Sequence, residues 1–302
     1  MRNWSLSKQR RWIGGSMVVA CWCAILWFLS PGLPVLFGPW ASAATKEAGR
    51  DLFEHEWTAN DPLAHGDGLG PVFNAKSCVA CHFQGGVGGA GDTNHNVHNY
   101  AVMPSVRDGE FRSGTVHAAS TEPALKESFD LIRRQFPVIK GGQRVENGCS
   151  YLVLDVDPVH PQTVQPTALF GAGWIDRISP KAITHSLMSQ GIANAAKEFQ
   201  LDFSAIPAGH VRTLPDGRIG KFGWKAQFAT LEEFVAAACA NELGLGTPMM
   251  EQAKPFGKPD YPAQPPDLEK SQFRALVAFL RTLKAPPDAL PARNPTLVAQ
   301  GR

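Results

Sequence analysis

The segment Cys78-Val79-Ala80-Cys81-His82 constrains the fold of this chain more strongly than any other feature. Two thiols three positions apart, followed directly by a histidine, form the pattern of covalent c-type haem attachment. The thiols would add to the two vinyl groups of one porphyrin, and the histidine would give the iron an axial imidazole nitrogen. We therefore expect one covalent haem c, held by Cys78, Cys81 and His82, around which the neighbouring chain must fold.

Three other kinds of site can use two cysteines at this spacing: a structural zinc site, a redox dithiol and a simple disulfide. A four-coordinate zinc site needs a second ligand pair at a matching spacing, and the sequence contains no second Cys-x-x-Cys. A thioredoxin-like dithiol is expected near a strand–helix–strand pattern, which the flanking residues do not show. The spacing therefore favours haem over these alternatives.

The N-terminal residues 1–43 have the pattern of an export signal. Four basic residues within the first eleven positions precede the uncharged run Trp12–Leu29, and Ala41-Ser42-Ala43 offers a small-x-small cleavage site. The run of about 18 residues is also long enough to serve as an uncleaved membrane anchor. In either case we expect the rest of the chain in the periplasm or another extracytoplasmic compartment, where bacteria attach haem c.

Charge excludes one class of partner. The whole chain is formally +2, and the part beyond residue 43 is about −2 once the four basic residues of the N-terminal segment are taken away. Such a balance gives no positive electrostatic field to attract nucleic acid, and it predicts contact with a membrane only through the N-terminal segment.

Of the six cysteines, two lie in the N-terminal segment and two in the motif, which leaves Cys149 and Cys239. These two either pair with each other or remain buried separately.

The composition beyond residue 43, rich in proline and glycine, predicts many loops around short helices. We expect a haem domain over 44–165 and a second region over 166–302, with a boundary near Pro158, Pro161 and Pro166. The glycine-rich run Gly85–Gly91 would either pass close to a flat cofactor or form a mobile surface loop. The local patterns predict helices near 49–54, 122–136, 181–190, 193–199, 230–243 and 268–283, and a strand near 151–156.

The second axial ligand of the iron has only weak candidates. Met103 precedes Pro104, like the methionine–proline pair of small cytochromes c, but its short spacing from His82 equally suits a loop or core methionine. His95, His98 and His117 are expected to be solvent-exposed rather than ligating. Met103 is therefore the distal candidate, and the sequence assigns no catalytic residue.

Three ordered blocks of sequence resemble one known family. The first runs from Asp67-Gly68-Leu69-Gly70-Pro71-Val72-Phe73-Asn74 to the haem motif, the second is Leu169–Asp176, and the third is Gly217–Ala226 with Thr230–Glu233. Together they resemble the bacterial di-haem oxidoreductases, often labelled thiol oxidoreductases. That family in turn resembles the di-haem cytochrome c peroxidases.

The resemblance implies a mainly α fold: a cytochrome c-like haem domain with long irregular loops, followed by a second, mostly helical region. It also implies that His82 holds the haem that meets peroxide, while a C-terminal haem supplies electrons. Family members are expected to carry a second Cys-x-x-Cys-His after the last helix, and the sequence contains none. The chain therefore resembles the N-terminal part of the family, as a truncated or mono-haem form.

Three functions follow as alternatives. The first is an extracytoplasmic haem-dependent oxidoreductase of the di-haem peroxidase type, which would need a redox partner protein to supply electrons directly. The second is a non-enzymatic mono-haem electron-transfer cytochrome. The third is a haem-binding remnant without activity. The iron's second axial position would separate the first two, since a methionine or histidine there favours electron transfer and an open position allows reaction with peroxide.

Overall fold

The computed structural model describes residues 41–103, 112–199, 209–284 and residue 296. The described residues from Ser42 onward belong to one compact unit. The helices are α1 Ala43–Glu54, α2 Cys78–Cys81, α3 Phe129–Gln135, α4 Ala172–Arg177, α5 Pro180–Phe199, α6 Leu231–Glu242 and α7 Lys270–Thr282. The strands are β1 Val72–Phe73, β2 Val97–Val102, β3 Arg112–Val116, β4 Ala119–Ser120, β5 Gly142–Glu146, β6 Cys149–Val153 and β7 Val159–Val164.

The strands form three small antiparallel sheets, which makes the expectation of a mainly α fold wrong. β1 pairs with β4, β2 lies between β3 and β7, and β5 pairs with β6. Helices and strands both make up substantial parts of the described chain, so the fold is mixed α and β. The central sheet joins residues far apart in sequence, because Val97 pairs with Val164 and Val102 pairs with Val159.

The longer helices begin at capping residues that the sequence supplies. The Ser42 hydroxyl accepts from the Thr45 backbone N–H at the start of α1. At α6, Thr230 and Glu233 form a reciprocal capping box, so two backbone N–H groups that lack helical partners are satisfied. The cap at Thr230 agrees with the predicted start of α6, whereas α1 begins at Ala43, six residues before the predicted start at Gly49.

The main core lies where α1 packs against α7, with α6 alongside. Phe53 of α1 and Phe273 of α7 are almost fully buried, and so is Trp57 just beyond α1. A side chain at Gly49 would overlap the Ala275 carbonyl, so glycine allows the two helix backbones to approach closely. Residues on both sides of the predicted boundary at 165 share this core, and the boundary itself stays a prediction.

The predicted helix over 122–136 is mostly wrong. Only Phe129–Gln135 is α-helical, with a short 3₁₀ turn at Pro123–Leu125. Glu127 lies between them and turns its carboxylate inward, to accept from the His117 backbone N–H at 2.9 Å. The next residue, Ser128, caps the N-terminus of α3 by accepting from the Leu131 backbone N–H. The helix therefore begins at Phe129 and does not include Glu127.

Other sequence predictions hold in outline. The two helices predicted over 181–190 and 193–199 are one continuous helix, α5, which runs through Gly191. The predicted final helix is α7, and its apolar side faces the core as expected.

Within the described residues, none of the helices combines the length and apolar character needed to cross a membrane. The proposed signal or anchor at Trp12–Leu29 lies outside those residues.

Candidate functional site

The two motif cysteines lie on one short helix. Ser77 caps α2 by accepting from the Ala80 backbone N–H at 3.2 Å, and the His82 backbone N–H closes the turn on the Cys78 carbonyl at 3.1 Å. Residues three apart in a helix lie on the same face, so one turn presents both thiols to the same side. His82 ends the helix with non-helical backbone, which turns its side chain away from the helical path.

The ring of His82 is oriented through one of its two nitrogens. Its Nδ1 lies 3.1 Å from the Gly89 carbonyl, and because a carbonyl only accepts, Nδ1 carries the proton and Nε2 keeps the lone pair. Burial lowers the pKa of His82, although the carbonyls of Gly89 and Thr167 oppose this effect. A neutral imidazole with an oriented Nδ1–H is the arrangement typical of a metal-ligating histidine.

Both motif thiols are unpaired and remain protonated at neutral pH. Burial raises the pKa of Cys78 to about 12, with further repulsion from Cys81. Burial likewise raises the pKa of Cys81 to about 11, with Glu242 and Asp92 adding to the effect. Reactive dithiols need lowered pKa values. The raised values therefore disfavour a redox dithiol at this segment.

The glycine-rich run after His82 folds back tightly on the motif. The Gly88 backbone N–H donates to the His82 carbonyl at 3.0 Å, and the Gln84 N–H donates to the Ala90 carbonyl at 2.9 Å. A side chain at Gly89 would overlap the Gln84 carbonyl, and one at Gly91 would approach the Cys81 carbonyl to 2.6 Å. The glycines thus let the loop backbone pack on the motif and bring the Gly89 carbonyl to the His82 ring.

A second stretch of chain, residues 165–169, lies against this loop. The Gly91 backbone N–H donates to the Pro166 carbonyl at 2.9 Å, and the Leu169 N–H donates to the Gly88 carbonyl at 2.8 Å. Leu169 opens the second block of the family resemblance. The fold therefore brings the start of the second block against the glycine-rich loop that follows the motif.

Residues of the third block of the family resemblance donate hydrogen bonds to Asp176, the last residue of the second block. Lys221 Nζ donates to the Asp176 carbonyl at 2.6 Å, and the Leu231 backbone N–H donates to the Asp176 carboxylate at 3.0 Å. Arg281 of α7 also donates to that carboxylate, at 3.2 Å. Asp176 is thus the link between the end of α4, the third block and α7.

Apolar side chains surround the motif. Val79, Val87, Leu169 and Leu283 are partly buried and pack on the main core, and the Phe53 ring centroid lies 6.5 Å from that of His82. A porphyrin needs such an apolar surround, two thiols on one side and one neutral imidazole nitrogen. The residues at this segment therefore fit a covalent haem. Among the described residues, the motif included, no group of three or more His, Cys, Asp or Glu side chains could hold a metal ion by themselves.

The distal candidate Met103 is not joined to the motif. It follows β2, its backbone N–H donates to the Pro158 carbonyl at 2.9 Å, and its side chain is 47% exposed. No hydrogen bond or ring contact of the described residues links it to Cys78–His82. Its role as a distal ligand stays a prediction.

The expectation that His117 is solvent-exposed is wrong. His117 Nδ1 lies 2.8 Å from the Glu127 carboxylate, and both side chains are almost completely buried. Glu127 also accepts from the Phe256 backbone N–H at 2.7 Å, while His117 Nε2 is buried without a partner. Contact with His117 lowers the pKa of Glu127 against the opposing effect of burial. By contrast, His98 is exposed, as expected.

Sequence analysis missed a carboxylic acid near the motif. Asn74 Nδ2 donates to Glu242 Oε2 at 2.7 Å, and Asn74 Oδ1 accepts from the Ala118 backbone N–H at 2.9 Å. Burial raises the pKa of Glu242. No local signal marks Glu242, because it lies at the end of α6, far from the motif in sequence.

The two remaining cysteines of the described chain are not paired with each other. Cys149 is exposed at the start of β6, whereas Cys239 is buried in α6, in the core on which Cys78 packs.

Comparisons of the chain with protein-family models, with curated proteins and with solved structures found no match. The assignment of function therefore depends on the residues themselves.

Proposed function

We propose that this chain is an extracytoplasmic c-type haem protein that transfers electrons, related to the oxidoreductases of the di-haem peroxidase type. Cys78 and Cys81 would form the two thioether bonds, and His82 would ligate the iron through Nε2. The observation that carries the proposal is the arrangement of this segment: two protonated thiols on one turn, with the next histidine oriented through Nδ1 by the Gly89 carbonyl.

The chain's own residues would have three tasks. The loop Gly85–Gly91 keeps Nδ1 of His82 protonated, so that Nε2 is the nitrogen available to a metal. The apolar side chains around the motif exclude water from the cofactor, which affects its redox potential. Bound haem would supply a one-electron redox centre, and with an open axial position it would also react with peroxide.

A protein partner would deliver or accept the electrons. The described chain carries one haem motif, so turnover would need an electron donor that approaches this site directly. We propose an exported redox protein as that partner, in keeping with the N-terminal export pattern.

The first test is whether the motif carries covalent haem. The full chain would be produced in a bacterial periplasm together with a haem c maturation system, and haem would be detected on denaturing gels and by the pyridine haemochrome spectrum. We expect haem to stay with the polypeptide, and the double variant Cys78→Ala/Cys81→Ala to lose it. Cys149→Ser, which removes an exposed thiol away from the motif, is the matched control and should keep full staining.

The second test separates the peroxidase type from simple electron transfer. Absorption and electron paramagnetic resonance spectra of the ferric protein would report whether the iron is high-spin or low-spin. A high-spin haem that reacts rapidly with hydrogen peroxide favours the peroxidase type. A low-spin haem that is inert to peroxide favours a mono-haem electron-transfer protein, and Met103→Ala then tests whether that methionine is the second ligand.

A further inference from the structure

Residues 139–156 form a two-stranded ribbon that extends beyond β5 and β6. The bridge between Ile139 and Val156 continues the register in which Gly142 pairs with Val153. At the tip, Asn147 and Gly148 have φ values of 52° and 79°, and two successive positive φ angles are typical of a type I′ hairpin turn. The ribbon is therefore a regular hairpin rather than an irregular loop.

One face of this ribbon is apolar and open to solvent. Directly opposite residues of an antiparallel pair share a face, and successive residues alternate between faces. We call this side of the ribbon the apolar face; its aliphatic side chains are Ile139, Val145, Leu152, Leu154 and Val156. Three of them are 71% exposed, an unusual state for three neighbouring aliphatic side chains.

The apolar face carries no charge. Its remaining positions are Gly141, Gln143 and Ser150, and the Gln143 amide donates to the Ser150 hydroxyl at 2.7 Å. The charged side chains lie on the opposite face, where Lys140 pairs with Asp155 at 2.8 Å. The ribbon is thus amphipathic, with its charged side chains on one face and exposed aliphatic side chains on the other.

The size of the apolar face suggests what covers it. Five aliphatic side chains at these exposures present on the order of 500 Å² of apolar surface, as large as the largest patch on a typical monomer. Two such faces packed together would bury on the order of 1,000 Å² in total, which reaches the lower limit for a specific protein interface. An isolated two-stranded ribbon is also only marginally stable in water, so a covering partner would stabilise it.

We propose that the apolar face binds the same face of a second copy of this chain, which makes the protein a twofold-symmetric dimer. A symmetric interface requires a patch that is complementary to itself, and an uncharged aliphatic surface meets this requirement. A lipid surface is a poorer occupant, because the tip residues Glu146-Asn147-Gly148 are polar and the opposite face balances Lys140 and Arg144 with Glu146 and Asp155, so it has no net positive charge to favour membrane binding. This inference does not depend on haem binding.

Sedimentation velocity of the full chain over a wide range of protein concentration tests the proposal. The decisive variant is Leu152→Glu, which places a carboxylate on the apolar face. Its matched control is Tyr151→Glu, which adds the same charge at the neighbouring position on the opposite face. We expect the natural chain and Tyr151→Glu to sediment as dimers, and Leu152→Glu to weaken the dimer by about 100-fold or more, since a buried unpaired charge is costly.

Val145→Glu is a second variant on the apolar face and should also dissociate the dimer. Far-UV circular dichroism of all variants shows whether the fold is kept, which we expect because each substituted side chain is exposed. A natural chain that stays monomeric at the highest concentration would overturn the proposal. So would a dimer that survives Leu152→Glu and Val145→Glu as well as it survives Tyr151→Glu.

Discussion

Asp267, three residues before α7, is expected to make the stability of this protein decrease as the pH rises from about 4 to about 6. Its side chain is completely buried. One carboxylate oxygen accepts from the Gly68 backbone N–H at 2.8 Å, and the other accepts from the Gly246 N–H at 2.6 Å. Burial raises the pKa of Asp267 to about 6, with repulsion from Asp67 adding to the effect and the two backbone N–H groups opposing it.

The sign and size follow from these values. The ordinary pKa of the group is 3.8, so between about pH 4 and 6 the folded protein holds a proton that the unfolded chain has released. This stabilisation is complete below the unfolded pKa and is lost as the pH rises through the folded pKa. A shift of about two units corresponds to about 3 kcal/mol of the free energy of unfolding.

Asp267→Asn isolates this effect. The asparagine is similar in shape but does not titrate, so the difference in unfolding free energy between the natural protein and the variant should change by about 3 kcal/mol between pH 4 and pH 7. The natural protein should lose stability relative to the variant as the pH rises. Taking the difference removes the effects of other carboxyl groups on the pH dependence of stability. The raised pKa of Glu242 acts in the same direction as that of Asp267, and the lowered pKa values of Asp61 and Glu127 act in the opposite direction.

Urea unfolding followed by far-UV circular dichroism at several pH values measures that difference. Asp216→Asn is the control, because the Arg218 backbone N–H lowers the pKa of the exposed Asp216. Its difference from the natural protein should stay nearly constant between pH 4 and 7, because a carboxyl with a lowered pKa titrates at or below its unfolded value of 3.8. A difference for Asp267→Asn that stays constant within about 0.5 kcal/mol from pH 4 to 7 would refute the reasoning.

Three further predictions concern other parts of the fold. His117→Ala removes a buried imidazole and leaves the Glu127 carboxylate without that hydrogen bond, so it should lower the unfolding free energy by about 3 kcal/mol in urea titrations; a loss below about 1 kcal/mol would contradict the buried contact. Gly89→Ala should lower the free energy of unfolding by about 1–3 kcal/mol and reduce haem incorporation, because the new Cβ would overlap the Gln84 carbonyl. An unchanged haem yield would argue against the role of this loop in orienting His82. Gly191→Ala, in the open middle of α5, should instead stabilise by about 1 kcal/mol in the same titration.

The helices of the main core could be predicted from sequence because their signals are local. The capping box at Thr230 and Glu233 lies within four residues, and the apolar periodicity of α7 identifies the side that is buried. The haem motif is equally local, since its thiols and imidazole lie within five residues. Patterns of this kind need no knowledge of distant contacts.

The sheets could not be predicted in the same way. β2 has the sequence Val-His-Asn-Tyr-Ala-Val, which lacks a regular alternation of apolar and polar residues, and one of its two partners, β7, comes from a distant part of the chain. β7 contains Pro161, a residue that indicates a boundary in sequence but is tolerated on an edge strand. The mainly α expectation therefore came from the family resemblance, and long-range pairing overturned it.

The buried polar groups were missed for a related reason. Glu127 lies in an apparent amphipathic helix, and only its contact with His117, ten residues earlier, explains why the helix is interrupted. Glu242 and Asn74 meet across most of the chain length. Pairwise contacts of this kind leave no periodic trace in a single sequence.

The central claim is that Cys78, Cys81 and His82 hold one covalent haem. Its most direct test is the intact mass of the haem-staining species purified from the native source under denaturing conditions. The proposed function predicts a polypeptide whose mass includes haem, with tryptic peptides locating that haem on the segment containing Cys78 and Cys81. A polypeptide mass without haem, or haem that dissociates on denaturation, would contradict the claim.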